Sequence, residues 1–181
     1  MRKGTITLLF LVLLLTACGS SDGGFSTKDL AIQKVGDDQA VVRYGMSRVD
    51  AESILGEEGE LESGNSFSYS SGVKVMYRED KVAGIYLTEE SEGAYETAAG
   101  LSSGMNNDDV KKIYGDHYLS DLENNLDYAY DSDSGQYLKE TEWAKKFEDD
   151  TKIYLISVIF DGQGSARTIM LTDRQMALTF R

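Results

Sequence analysis

Two stretches of one spacing constrain this chain more than anything else in it. They are Gly45-Met46-Ser47-Arg48-Val49-Asp50-Ala51-Glu52-Ser53-Ile54-Leu55-Gly56 and Gly104-Met105-Asn106-Asn107-Asp108-Asp109-Val110-Lys111-Lys112-Ile113-Tyr114-Gly115. The bounding glycines stand eleven apart in both. Ser47 and Asn106 each offer a side-chain oxygen to the first free N–H groups of a helix. Asp50 or Asp109, three residues on, completes a capping-box-like start and sets a carboxylate against the positive end of the helix dipole. Each helix then runs about two turns, to Ile54-Leu55 or Ile113-Tyr114, before the second glycine ends it. The spacing predicts one unit used twice.

Strands follow each helix. After Gly56, Ser66–Ser70, Val73–Tyr77 and Val82–Thr88 carry apolar residues at alternate positions, the period of a sheet with one face buried. After Gly115, Tyr128 and Tyr130 alternate, Ile153–Phe160 is a strong strand, and Thr168–Leu171 returns after Asp161-Gly162-Gln163-Gly164. The closing strings match: Ile85-Tyr86-Leu87-Thr88-Glu89 answers Ile169-Met170-Leu171-Thr172-Asp173. From the helix-ending glycine to that isoleucine is 29 residues in the first copy and 54 in the second, so the second carries 25 extra.

The fold class expected is α+β, with two tandem units of a short helix packed on an antiparallel meander. The units span 26–91 and 92–181, meeting near Ser91-Glu92-Gly93, with an insertion at about 131–151. Ahead of the first helix, Asp29–Val35 and Gln39–Tyr44 flank Gly36-Asp37-Asp38 and read as a hairpin. The rival there is a helix, with Ser26 and Asp29 as its capping box, Phe25 and Leu30 as a staple and Gly36 at its end.

The chain opens with Arg2 and Lys3, a ten-residue apolar run from Ile6 to Leu15, and Leu15-Thr16-Ala17-Cys18. The run is half of the roughly 20 residues a spanning helix needs, so residues 1–17 read as a signal peptide. The Leu-Thr-Ala-Cys tetrad resembles the bacterial lipobox, which implies cleavage before Cys18 and lipidation (palmitate among the acyl chains) of its thiol. Cys18 is the one cysteine in 181 residues, so no disulfide framework is possible. Gly19-Ser20-Ser21-Asp22-Gly23-Gly24 has nothing to bury, and residues 18–25 read as the lipidated cysteine and a flexible tether. The address expected is the extracytoplasmic face of the cell membrane or envelope. Loss of Met1–Ala17 leaves 16 Lys and Arg against 31 Asp and Glu, a net charge of −15. Such a surface is repelled by nucleic acid and anionic headgroups, so lipid, not a basic patch, must hold the chain to a membrane.

The helix-start glycine, polar cap, acid and closing glycine, followed by strands, are together similar to two related bacterial groups. These are the small outer-membrane-assembly lipoproteins of the SmpA/OmlA type and the tandem-repeat β-lactamase inhibitory proteins. The resemblance covers roughly residues 40–173 and implies compact units of helix on antiparallel sheet that work by binding proteins, not by catalysis. It departs in two ways: those families place two helices before the sheet, and the inhibitors carry disulfides this chain cannot form. Inhibition of a β-lactamase is therefore not implied, and Gly45, Asp50, Gly56, Gly104, Asp109 and Gly115 transfer structural jobs only.

Catalytic chemistry finds little to use. His117 is the only histidine, which leaves neither a nucleophile–histidine pair with a surviving thiol nor a zinc ligand set, and no cofactor is expected. The paired carboxylates Glu57-Glu58, Glu89-Glu90 and Asp149-Asp150 could serve a carboxylate-dependent hydrolase of the envelope, the alternative function. In a chain this acidic they read first as solvated faces. Asp131-Ser132-Asp133-Ser134-Gly135 with Glu142 resembles a calcium loop, but Gln136 occupies the sixth position, where the loop needs glycine. A solvated hairpin turn of small polar residues is the favoured reading. The insertion gathers Tyr128, Tyr130, Tyr137, Trp143 and Phe147 with Lys139, Lys145 and Lys146. Aromatic anchors beside charges mark binding hot spots as well as sheet cores. The candidate site is Tyr137, Trp143 and Phe147, as the anchor patch of a protein-binding or assembly module.

Overall fold

The computed structural model describes residues 24–56 and 58–179. The first segment is a hairpin, β1 (Ala31–Lys34) and β2 (Asp37–Arg43), turned at Gly36, whose φ of 81° suits glycine. Ser26 and Asp29 do make the capping contact, with the Ser26 N–H donating to Asp29 Oδ2 at 2.8 Å. It holds a turn instead of a helix, because Ile32 is paired on both sides, with Val42 of β2 and Thr97 of a third strand. That strand is β7 (Tyr95–Thr97), and the small sheet runs β2-β1-β7. Phe25, one residue before the boundary read from the sequence, is already buried among the rings of Tyr114, Tyr128, Tyr130 and Tyr137.

Both capped helices form. In α1 (Arg48–Leu55) the Ser47 side chain accepts from the Asp50 N–H, and Gly56 closes the helix at φ 81°. In α2 (Asn107–Tyr114) Asn106 accepts from the Asp109 N–H, and the Gly115 N–H reaches back to the Lys111 carbonyl. The large sheet has nine strands, in the order β10-β9-β11-β12-β6-β5-β4-β3, with β8 also on β9. Its members are β3 (Glu60–Ser63), β4 (Ser66–Ser68), β5 (Val73–Arg78), β6 (Lys81–Thr88), β8 (Ser120–Leu122), β9 (Asn125–Asp131), β10 (Gln136–Tyr137), β11 (Ile153–Phe160) and β12 (Ala166–Asp173). Two short helices, α3 (Glu140–Trp143) and α4 (Arg174–Thr179), complete a mixed α+β fold with antiparallel sheets.

The matched closing strings meet at the centre of this sheet. Ile85 faces Leu171, Tyr86 faces Met170 and Leu87 faces Ile169, so the equivalent residues exchange places about the Tyr86–Met170 pair. The helix entries dock alike. Gly45 N–H donates to Val82 O (2.7 Å) and Val82 N–H to Met46 O (2.8 Å); Gly104 N–H donates to Ala166 O (2.9 Å) and Ala166 N–H to Met105 O (2.7 Å). In the first half Phe67 faces Val75 eight residues on, and in the second Leu126 faces Val158 thirty-two residues on. The additional chain therefore lies between β9 and β11, where it carries β10 and α3.

One face of the sheet is fully used. Val75, Ile85, Leu87, Ile156, Val158, Ile169 and Leu171 form a continuous core there with Val110, Ala51, Ile32 and Phe25. Alternation sends the remaining strand residues to the opposite face, which is covered differently along its length.

Candidate binding face

Cross-strand register divides the opposite face into rows. In one row Ala129, Leu155, Thr172, Gly84, Met76 and Ser66 lie side by side, and all are buried. The insertion and α4 supply the cover: Trp143, Phe147 and Ala177 pack on Leu119, Ala129, Leu138, Ile153 and Leu155, while Met176 packs on Met76 and Ala83. The next row crosses the whole sheet as Ser120, Asp127, Ser157, Met170, Tyr86, Lys74, Ser68 and Glu60. Most of this row is not closed over, since Asp127, Met170, Tyr86, Lys74 and Ser68 are only half-buried and Glu60 is exposed. Beyond it, Thr168 and Thr88 are half-buried and Ile159 is exposed. Tyr86, with burial raising its hydroxyl pKa to about 12, presents a neutral phenol at the centre. Lys74 Nζ is held toward the edge by Glu62 at 2.8 Å.

The three anchor residues read from the sequence do not share one patch. Tyr137 lies on the core face, edge-on to Phe25 and Tyr130 (ring centroids 5.2 Å in each case) and stacked under His117 at 5.1 Å. Trp143 and Phe147 lie on the other side, where they flank the guanidinium of Arg174, 5.1 Å from each ring. The chain changes face after Tyr137, because Leu138 turns inward beneath α3. Cys18 lies outside the described residues.

The acidic motifs hold structure. Asp131 Oδ1 accepts from the Asp133 and Ser134 N–H groups and Oδ2 from Ser134 Oγ, which is the capped polar turn between β9 and β10. Glu142 accepts from the Lys139 N–H and pairs with Lys145 Nζ at 2.7 Å. Among the described residues no three such groups gather as a metal site. Asp149 caps the turn before β11, while Asp150 pairs with Arg174. Glu89 and Glu90 line an open groove of about 510 Å³ with Glu58, Glu60 and Glu62, all exposed to solvent.

Asp127 was passed over in the sequence, although alternation with Leu126 and Tyr128 already placed it on the opposite face. Its Oδ1 accepts from Ser157 Oγ (2.5 Å) and from Asn125 Nδ2 (3.1 Å). Burial raises its pKa, and those two hydrogen bonds oppose the rise without cancelling it. A folded pKa above the unfolded value of about 4 makes the ionised carboxylate a cost to the folded state, absent at low pH and complete above the folded pKa. Asp127→Asn is therefore expected to raise Tm near pH 7 and to leave it unchanged near pH 3. A Tm lowered near pH 7 and unchanged near pH 3 would show instead that the ionised carboxylate stabilises the sheet.

No family of known proteins, no curated protein and no solved structure matches this chain.

Proposed function

We propose that this chain is a non-catalytic lipoprotein, anchored through Cys18 to the extracytoplasmic face of a bacterial membrane, that binds a protein partner on the open rows of its sheet. The observation that carries the binding role is the row from Asp127 to Glu60, which crosses the sheet with an apolar and aromatic centre, Met170 and Tyr86, and a polar rim. An apolar centre ringed by polar groups is the anatomy of a protein interface. The glutamates of the groove that holds Glu89 and Glu90 are all exposed, which does not favour a hydrolase centre there, since a general acid at neutral pH needs a desolvated carboxyl.

We also read the chain as two tandem units, 26–91 and 92–181. The paired helix-entry hydrogen bonds and the exchange of Ile85 and Leu87 with Leu171 and Ile169 support that reading. Duplication explains why one broad sheet results: each unit ends on a strand whose free edge fits its copy. The resemblance to envelope-assembly lipoproteins fits the same picture.

A photo-crosslinking side chain at position 86 tests the face. In native membranes it is expected to trap a protein that the same group at position 49, on α1 and 76% exposed, does not. Equal products from both positions, or none from position 86, would overturn the assignment.

A further inference from the structure

A cavity of about 270 Å³ opens where the open row runs under the insertion. Asp127 and Met170 come to it from the sheet, Glu140 and Trp143 from α3, and Leu119 and Leu155 close its sides. No basic side chain lines it, and among the described residues neither Asp127 nor Glu140 takes part in an ion pair. Arg174, which meets the Trp143 ring, is not part of the lining and is paired with Asp150. Ser157 is 5% exposed, and its hydroxyl is committed to Asp127 Oδ1. Asp127 Oδ2 has no hydrogen-bond partner among the described residues.

We propose that this cavity binds an alkylammonium group, with Asp127 as its counter-ion, Glu140 at the mouth and the apolar walls around its carbon stem. Four features select that chemistry. A desolvated carboxylate with one open oxygen gains most from a cation, while an anion would meet two carboxylates. Oδ1 already accepts from two donors, so the paired oxygens that a guanidinium fork requires are not both open, whereas an ammonium needs only one. The volume lies below the ~300–1,000 Å³ of pockets for drug-sized ligands, which suits a small ligand such as an amine with a stem of about five carbons. Leucine, methionine and tryptophan walls favour an apolar stem over a hydrated one. The acidic surface as a whole raises the local concentration of cations.

The ammonium can belong to a free amine or to a lysine side chain presented by another protein. Trp143 is the only tryptophan, so its fluorescence reports on the cavity. Titration with n-pentylamine is expected to change that fluorescence saturably, with a Kd on the order of 1 mM for a ligand of about six non-hydrogen atoms. The neutral isostere 1-pentanol should bind at least about tenfold more weakly. Asp127→Asn should weaken the amine at least about tenfold with an unchanged near-ultraviolet spectrum, and Glu140→Gln by less. Saturation by Nα-acetyl-lysine N-methylamide would identify a side chain as the natural source, and its exclusion while pentylamine binds would identify a free amine. No saturable response to pentylamine, equal binding of pentanol, or undiminished binding by folded Asp127→Asn would overturn the proposal. None of these results depends on whether the open rows dock a protein.

Discussion

Replacing Arg174 with methionine is expected to cost about 3 kcal/mol of stability and to loosen the insertion from the sheet. Arg174 opens α4 with a side chain only 10% exposed, yet it reaches three separate parts of the insertion. One terminal nitrogen pairs with Asp150, and the other donates to the carbonyls of Trp143 (2.9 Å) and Lys145 (3.3 Å). Its flat faces meet the rings of Trp143 and Phe147. Methionine keeps the apolar stem but leaves a partly buried carboxylate and two carbonyls without donors. Breaking one partner of a buried pair costs ~3–5 kcal/mol, and the partial exposure of Asp150 (32%) places this case at the lower end. Arg174→Lys should recover less than half, because one ammonium nitrogen cannot stand in both places held by the two terminal guanidinium nitrogens and has no flat faces for Trp143 and Phe147. Urea unfolding followed by Trp143 emission and far-ultraviolet dichroism measures both effects. An unshifted midpoint and unshifted emission would mean that apolar contacts alone hold the insertion down.

That interaction also marks where the sequence stops being informative. The helices were legible because their signals are local: Ser47, Asp50 and Gly56 act within one peptide segment, as do Asn106 and Asp109. The closing strands were legible because the alternation of Ile85 and Leu87, and of Ile169 and Leu171, is strong and repeated. By contrast, Glu60–Ser63 is exposed at every position and Ser120–Leu122 buries little, so neither carries the period of a half-buried strand. They exist because β4 and β9 offer them backbone partners. The four residues of α3 are too few to show a helical period. The anchor patch misled for a related reason. Tyr137, Trp143 and Phe147 are near in sequence, but the chain passes from one face of the sheet to the other between the first and second. Arg174, which Trp143 and Phe147 actually meet, lies 24 residues beyond Asp150, and no local pattern links them.

Replacing Cys18 with serine is expected to move the protein from the membrane fraction to the soluble one. The two or three acyl chains that the lipobox resemblance implies hold a membrane far more stably than one chain does. Among the described residues little could replace them. The surface carries a strong negative charge, which anionic headgroups repel, and among the described residues no helix is long and apolar enough to cross a membrane. The anchor would also fix where the binding face works. Phe25 is 7% exposed in its ring of tyrosines, so a residue only seven past Cys18 is already held in the fold. At about 3.5 Å per extended residue, that leaves a reach of roughly 25 Å, less than the fold's own sheet is broad. On the proposed anchoring, a partner is met close to the membrane surface. Photo-crosslinking from position 86 should fail in Cys18→Ser and return when Cys18 is restored with its signal. If Cys18→Ser instead stays in the membrane fraction, and labelled palmitate never enters the unaltered protein, the anchor is wrong. Crosslinking that persists at full yield from soluble Cys18→Ser would keep the binding face but remove the membrane from its action.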